Sequence, residues 1–118
     1  MSLGSKTDNS NVALTLTLTT TVLAVPAVNT KRYIRGMRIT NGNAAQQTFS
    51  LGLATAGVAP AVTDAGKIGI LTPVAANSSI DLAFPGDGLE MTNGGLPITG
   101  GASSTNMSVM FFAVLVAA

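Results

Sequence analysis

The apolar residues of this chain recur at every second position rather than at the spacing of a helix. The segment "VALTLTLT" over residues 12–19 places Val and Leu at alternate positions with Ala and Thr between them, as in a strand with one face in water. The same alternation occurs in "QQTFSLGLA" and "SSIDLAF", and turn sequences such as "NGN" and "GDG" separate the segments. The pattern predicts an all-β fold, an antiparallel β-sandwich or jelly roll of about seven or eight strands.

The length of the chain, 118 residues, fits one domain. We expect residues 12–118 to form a single β-sandwich domain, and residues 1–11, which are small and polar, to form a flexible N-terminal arm. The arm lacks the apolar core of a signal peptide, and neither apolar-rich stretch of the sequence suits a membrane-spanning helix. We therefore expect a protein that is made in the cytoplasm without a secretion signal and does not enter a membrane.

The composition argues against most kinds of catalytic and metal site. The chain contains no Cys and no His, which removes disulfides, thiolate catalysis and the commonest general base and metal ligand. The two carboxylates closest in sequence are Asp87 and Glu90. Asp87 lies in a "PGDG" sequence, where Asp favours the turn itself, and calcium would need about six to eight oxygen ligands. We expect no enzymatic activity and no cofactor.

Four of the six basic residues lie within eight positions, and they are Lys31, Arg32, Arg35 and Arg38. The cluster has two main interpretations: a solvated strand edge, or a docking patch for an acidic protein surface, because Arg binds carboxylates in bidentate fashion. Direct binding to nucleic acid is the weaker hypothesis, since the net charge is only +1 and Tyr33 is the one aromatic residue in the cluster.

The expected orientation of the basic residues follows from strand parity. Met37 and Ile39 have the character of core residues, and alternate residues of a strand point to opposite faces. Arg32 and Arg38 are then predicted on the outer surface, and Lys31 of the same cluster is counted with them. These three residues are the candidates for docking a partner.

The last segment of the chain is apolar on both faces, because no side chain from Val109 to Ala118 is polar. One set of alternate residues is expected to fill the core: Met107, Val109, Phe111, Ala113 and Leu115. The other set lies on the opposite face: Met110, Phe112, Val114 and Val116. Leaving such residues in water forgoes roughly 1.5–3 kcal/mol each. We predict that the second set is a homo-oligomer interface; the alternative is that the arm or the loops fold over it.

Several stretches resemble the small bacteriophage virion β-sandwich proteins of the capsid decoration (cement) group in strand rhythm and turn placement. They are "TVLAVPA", "RGMRITNGNAAQQTFSLGLATAG", "LTPVAANSSIDLAF" and "GDGLEMTNG", with an apolar strand to close. The resemblance covers most of residues 22–116. It implies a non-enzymatic structural role on the capsid surface of a virion, as a homo-oligomer, usually a trimer, bound to the major capsid protein.

A second interpretation is a phage tail, baseplate or surface-binding module that recognises carbohydrate, because such proteins carry similar sheets. Carbohydrate-binding sites usually expose aromatic side chains. The chain has no Trp and one Tyr, which favours the decoration protein.

Overall fold

A computed structural model describes residues 6–61 and 66–118. Within these ranges the chain contains β-strands and no helix, so the prediction of an all-β fold is confirmed. The strands are β1 (Lys6–Thr7), β2 (Ser10–Ala13), β3 (Thr21–Leu23), β4 (Thr30–Asn41), β5 (Gln47–Leu53), β6 (Lys67–Val74), β7 (Ser78–Ala83), β8 (Leu89–Thr92), β9 (Ile98–Ala102) and β10 (Met107–Ala117).

The strands form two antiparallel sheets. In the first sheet β10 and β4 are the long central pair; β1 and β2 lie along the free side of β10, and β8 and β7 lie along the free side of β4. The second sheet has the order β3-β9-β5-β6. The described residues contain ten strands, more than the seven or eight expected from the sequence.

The inner faces of the two sheets enclose one hydrophobic core. Each sheet contributes large side chains that are fully buried, and together they include Ile34, Met37, Ile39, Phe49, Leu51, Ile98 and Phe111. Burial of side chains of this size contributes roughly 1.5–3 kcal/mol each. This shared core is what holds the two sheets against each other.

Strand β10 has the parity expected of it over most of its length. Four of the five residues predicted in the core are buried: Met107, Val109, Phe111 and Ala113. Leu115 is half-buried, in register with Arg32 at the end of the sheet. The prediction for the inner face is therefore confirmed up to Ala113.

A β-bulge at Arg35 interrupts the parity of β4. Phe112 is in register with Gly36 and Ala113 with Ile34, so Arg35 has no partner on β10. An extra residue of this kind shifts the alternation of the strand by one position. Ile34 and Met37 are consequently both buried although they are an odd number of positions apart.

The segment expected to form an arm is paired to the sheet from Lys6 onward. Lys6 is in register with Leu115, and Ser10 to Ala13 pair with β10. Between the two strands the Asp8 N–H donates to the Ala113 carbonyl at 2.9 Å. Pairing satisfies backbone groups that would otherwise lie open along the edge of β10. Residues 1–5 lie outside the described residues.

The strand predicted over residues 12–19 is right for Val12 and Ala13 of β2 and wrong beyond them, because the chain then crosses from one sheet to the other. The Leu14 N–H donates to the Met107 carbonyl of the first sheet, and the Thr15 carbonyl accepts from the Ala102 N–H of the second. Leu14 enters the core whereas Leu16 is 60% exposed. The crossing needs Gly101, since a Cβ there would lie 2.5 Å from the Thr15 carbonyl oxygen.

The side chain of buried Asn41 forms hydrogen bonds with the loops at one end of the two sheets. The Asn41 Nδ2 group donates to the carbonyls of Ala45, Val74 and Ala75 at 2.9, 3.1 and 3.3 Å. Its Oδ1 accepts from the backbone and side-chain nitrogens of Asn43. One side chain thus connects the β4–β5 turn to the β6–β7 turn.

Candidate interaction surface

The outer face of the first sheet carries an apolar stripe along β10. We define this apolar stripe as Met110, Phe112, Val114 and Val116, the residues predicted on the second face. Phe112 is 40% exposed, and the other three are half-buried. Strands β1 and β2 lie beside β10 in the plane of the sheet, so pairing of the N-terminal segment does not cover the stripe.

The neighbouring strand leaves the middle of the stripe open. Phe112 is in register with Gly36 on β4, which has no side chain to pack against the ring. Replacement of Gly36 is disfavoured, because a Cβ there would lie 3.0 Å from the Leu82 carbonyl oxygen. Close strand packing therefore keeps a glycine beside the most exposed residue of the stripe.

An ion pair borders the stripe beside Met110. Met110 is in register with Arg38, and Arg38 with Asp81. The Arg38 guanidinium binds the carboxylate through Nε–Oδ1 at 2.7 Å and Nη2–Oδ2 at 3.2 Å. This hydrogen bonding lowers the pKa of the Asp81 carboxyl below its ordinary value. Both side chains are more than half exposed, so the pair adds little to stability.

A second ion pair borders the other end of the stripe. Val116 is in register with Lys31, and Val114 with Tyr33. The Lys31 Nζ lies 3.4 Å from Glu90 Oε1 on β8. The apolar stripe is thus flanked by one cation and one anion at each end.

Arg32 does not lie on this surface, and the orientation predicted for it is wrong. Its Nε donates to Asp8 Oδ2 at 2.6 Å, and its Nη1 donates to the Ala24 carbonyl at 2.6 Å. Only 14% of the side chain is exposed. Since the bulge at Arg35 shifts the parity of β4, Arg32 is on the same side as the core residue Ile34. Arg32 connects the β1–β2 segment to the end of β3.

The bulge residue Arg35 is the basic side chain that sequence parity left out of the candidate set. It is exposed, and with the described residues its side chain forms no ion pair and no hydrogen bond. Lys31 and Arg38, by contrast, each have an acidic partner on a neighbouring strand. No signal in the sequence marks position 35 as the bulge.

The outer face of the second sheet has its own exposed apolar residues, which the sequence analysis missed. Leu16 is 60% exposed and Leu71 is 66% exposed, and both line a shallow groove of about 190 Å³. Leu71 has a φ of 48°, a conformation that Leu rarely adopts. The residues lining this groove carry no charge, which distinguishes it from the apolar stripe.

The described residues contain no cluster of side chains that could hold a metal ion. Over 6–61 and 66–118 no three His, Cys, Asp or Glu residues come together as ligands. Asp87 is exposed in a turn in which the Gly88 N–H donates to the Pro85 carbonyl at 3.2 Å. In the same part of the chain, no helix is long and apolar enough to span a membrane.

Neither the protein-family models, nor the curated proteins, nor the solved structures give a match to this chain. The geometry of the two outer faces is therefore the basis for a functional proposal.

Proposed function

We propose that this chain is a structural protein of a bacteriophage virion, a capsid decoration protein that binds the head shell as a homo-oligomer and catalyses no reaction. The observation that carries the proposal is the apolar stripe on the open face of the first sheet, with Phe112 40% exposed at its centre. We propose that the two sheets form a β-sandwich of jelly-roll type, one of the two architectures that the strand pattern of the sequence predicts.

A second copy of the chain is the occupant that best fits the stripe. Each end of the stripe carries one positive and one negative side chain, Arg38 with Asp81 and Lys31 with Glu90. When two copies meet through this face, each positive side chain can pair with a negative side chain of the other copy. The contact therefore does not force like charges together. The exchange costs little, because exposed pairs contribute about 0–1 kcal/mol. We propose a trimer, the form that the resemblance implies.

The contact with the major capsid protein is assigned to the basic side chains at and beside the bulge. Arg35 is exposed and can bind a carboxylate of the shell without first losing a partner among the described residues. Lys31 and Arg38 add positive charge to this patch but bind no carboxylate of the shell, because their acidic partners lie at the ends of the apolar stripe and serve the contact between copies. Arg32 takes no part, since its donors bind Asp8 and Ala24.

The location of the chain on particles tests this function. Virions of a phage that encodes the chain are purified, separated into heads and tails, and analysed by mass spectrometry. We expect the chain in the head fraction, and electron microscopy should show it on the outside of the shell. Detection in tails alone would contradict the capsid role and support the tail or baseplate interpretation. Absence from both fractions would exclude a virion role.

A binding experiment tests the assigned docking residue. Purified chain is added to particles that lack it, and the occupancy is measured for wild type, Arg35→Ser and Lys6→Ser. Lys6 is exposed on β1, so its replacement removes the same charge at another place. We expect lower occupancy for Arg35→Ser alone, and weaker binding as salt rises, because exposed charges are screened beyond about 8 Å at physiological ionic strength. Equal occupancy of the wild type and both variants would show that Arg35 does not contribute to the contact with the shell.

A further inference from the structure

The sequence contains the dipeptide Asn-Gly twice, at Asn41–Gly42 and at Asn93–Gly94. An asparagine side chain can react with the backbone nitrogen of the next residue, which attacks its Cγ atom. Glycine at the next position permits this reaction best, because it has no Cβ to hinder the approach and its backbone rotates freely. The two sites have the same local chemistry, so any difference between them comes from the fold.

The fold protects the first site, Asn41–Gly42, from this reaction. Asn41 is fully buried, and its Nδ2 group donates to three backbone carbonyls. The attacking atom is also occupied, since the Gly42 N–H donates to the Asn106 carbonyl at 3.0 Å. Reaction at Asn41 would require the loops at this end of the molecule to open.

The second site is open. Asn93 and Gly94 are exposed at the centre of a turn closed by the Gly95 N–H, which donates to the Thr92 carbonyl at 3.1 Å. The leaving nitrogen, Asn93 Nδ2, has a single hydrogen bond, to the Pro26 carbonyl at 2.9 Å. Within the described residues the Gly94 N–H has no hydrogen-bond acceptor. A Cβ placed on Gly94 would meet nothing within 4 Å.

We propose that Asn93 is a site of spontaneous deamidation and that the fold protects Asn41 from the same reaction. The Gly94 nitrogen forms a bond to Asn93 Cγ, the bond from Cγ to Nδ2 breaks, and the nitrogen leaves as ammonia with the proton that Gly94 gave up. Water then opens the cyclic imide at one of its two carbonyls, giving aspartate or isoaspartate. The reaction requires no enzyme and no co-reactant other than water.

Deamidation at Asn93 changes both a contact and the charge of the molecule. The link from the β8–β9 turn to the Pro26 carbonyl is lost, because the new carboxylate has no N–H to donate. The formal net charge falls from +1 to zero. The new charge lies next to Thr92, the register partner of Lys31, so it arises beside one end of the outer face that carries the apolar stripe.

The test is incubation of the folded full-length protein at mildly alkaline pH, which favours loss of the amide proton. Proteolytic peptides that contain each Asn-Gly site are then quantified by mass spectrometry for asparagine, aspartate and isoaspartate. We expect Asn93 to convert at least about tenfold faster than Asn41 in the folded protein. In denaturant the two rates should approach each other, because the protection of Asn41 depends on the fold.

Gly94→Ala is the matched control, since the open surroundings of Gly94 accommodate a methyl group. We expect this variant to keep the folded structure and to deamidate much more slowly at Asn93. Equal rates at the two sites in the folded protein would overturn the proposal. The proposal would also be overturned if Asn93 stayed intact in the folded protein and deamidated only in denaturant.

Discussion

The guanidinium of Arg32 binds the carboxylate of Asp8, with Nε donating to Oδ2 at 2.6 Å. The contact joins β4 to the segment between β1 and β2, and the second bond of Arg32, to the Ala24 carbonyl, reaches the end of β3. Arg32 therefore links the N-terminal segment, the first sheet and the second sheet. A residue that the sequence placed on the docking surface has a structural role.

Replacement of Arg32 is expected to destabilise the fold. Arg32→Ser removes two charge-assisted hydrogen bonds and leaves Asp8 without its partner, and we expect a loss of about 2 kcal/mol in the free energy of unfolding. Arg38→Ser breaks an exposed pair and should leave the free energy of unfolding nearly unchanged. Urea denaturation of both variants measures the difference. Equal stability would show that the Arg32 contacts contribute nothing net.

The bulge explains why strand parity failed for Arg32 but succeeded on β10. A prediction from alternation assumes that every residue of a strand pairs with one residue of its neighbour. An inserted residue such as Arg35 breaks this assumption, and the pattern of apolar residues does not reveal it. On β10 no residue is inserted, so Val109 and Phe111 are buried as predicted, and so is Ala113 beyond the register shift. The outward direction of Phe112 was predictable for the same reason.

The two errors near the N-terminus have other physical causes. The alternation of residues 12–19 is that of an extended chain, and it cannot distinguish a strand from an extended crossing between sheets. Strand β1 and the first two residues of β2 are polar, so no apolar alternation predicts them. They form strands because β10 offers an unpaired edge. Both features depend on contacts between residues that are distant in the sequence.

The paired N-terminal segment leads to a prediction about truncation. Deletion of residues 1–11 removes β1, Asp8 and the start of β2, which exposes the edge of β10 and leaves Arg32 unpaired. We expect a clear decrease in the melting temperature. Deletion of residues 1–5 leaves every contact described above in place and is the matched control. An unchanged melting temperature for the longer deletion would show that the segment is not part of the stable fold.

Removal of the Asn41 side chain is expected to be among the most destabilising polar substitutions. Asn41→Ala leaves the carbonyls of Val74 and Ala75 without this donor, and we expect a loss of about 3 kcal/mol in the free energy of unfolding. Asn11→Ala is the control, because Asn11 is exposed on β2 and its change should cost no more than about 0.5 kcal/mol. Chemical denaturation of both variants measures the difference, and a similar loss in the two would contradict the role given to Asn41.

The ion pair between Arg38 and Asp81 leads to a prediction about pH. The hydrogen bond from Arg38 lowers the pKa of the Asp81 carboxyl, so the pair stabilises the fold above the ordinary carboxyl pKa and this contribution is lost as pH falls through the lowered value. An NMR titration of Asp81 should show its pKa rising toward the ordinary value in Arg38→Ser. An identical titration curve in wild type and variant would show that the pair does not form in solution.

Sedimentation velocity of the purified protein is the most direct test of the apolar stripe as a homo-oligomer interface. The matched variants are Phe112→Asp, in the stripe, and Leu71→Asp, which removes an equally apolar exposed residue from the outer face of the second sheet. We expect wild type and Leu71→Asp to sediment as the same oligomer at micromolar concentration. Phe112→Asp should raise the dissociation constant at least about thirtyfold, corresponding to roughly 2 kcal/mol for the buried side chain. A monomeric wild-type protein, or identical behaviour of the two variants, would contradict assembly through Phe112.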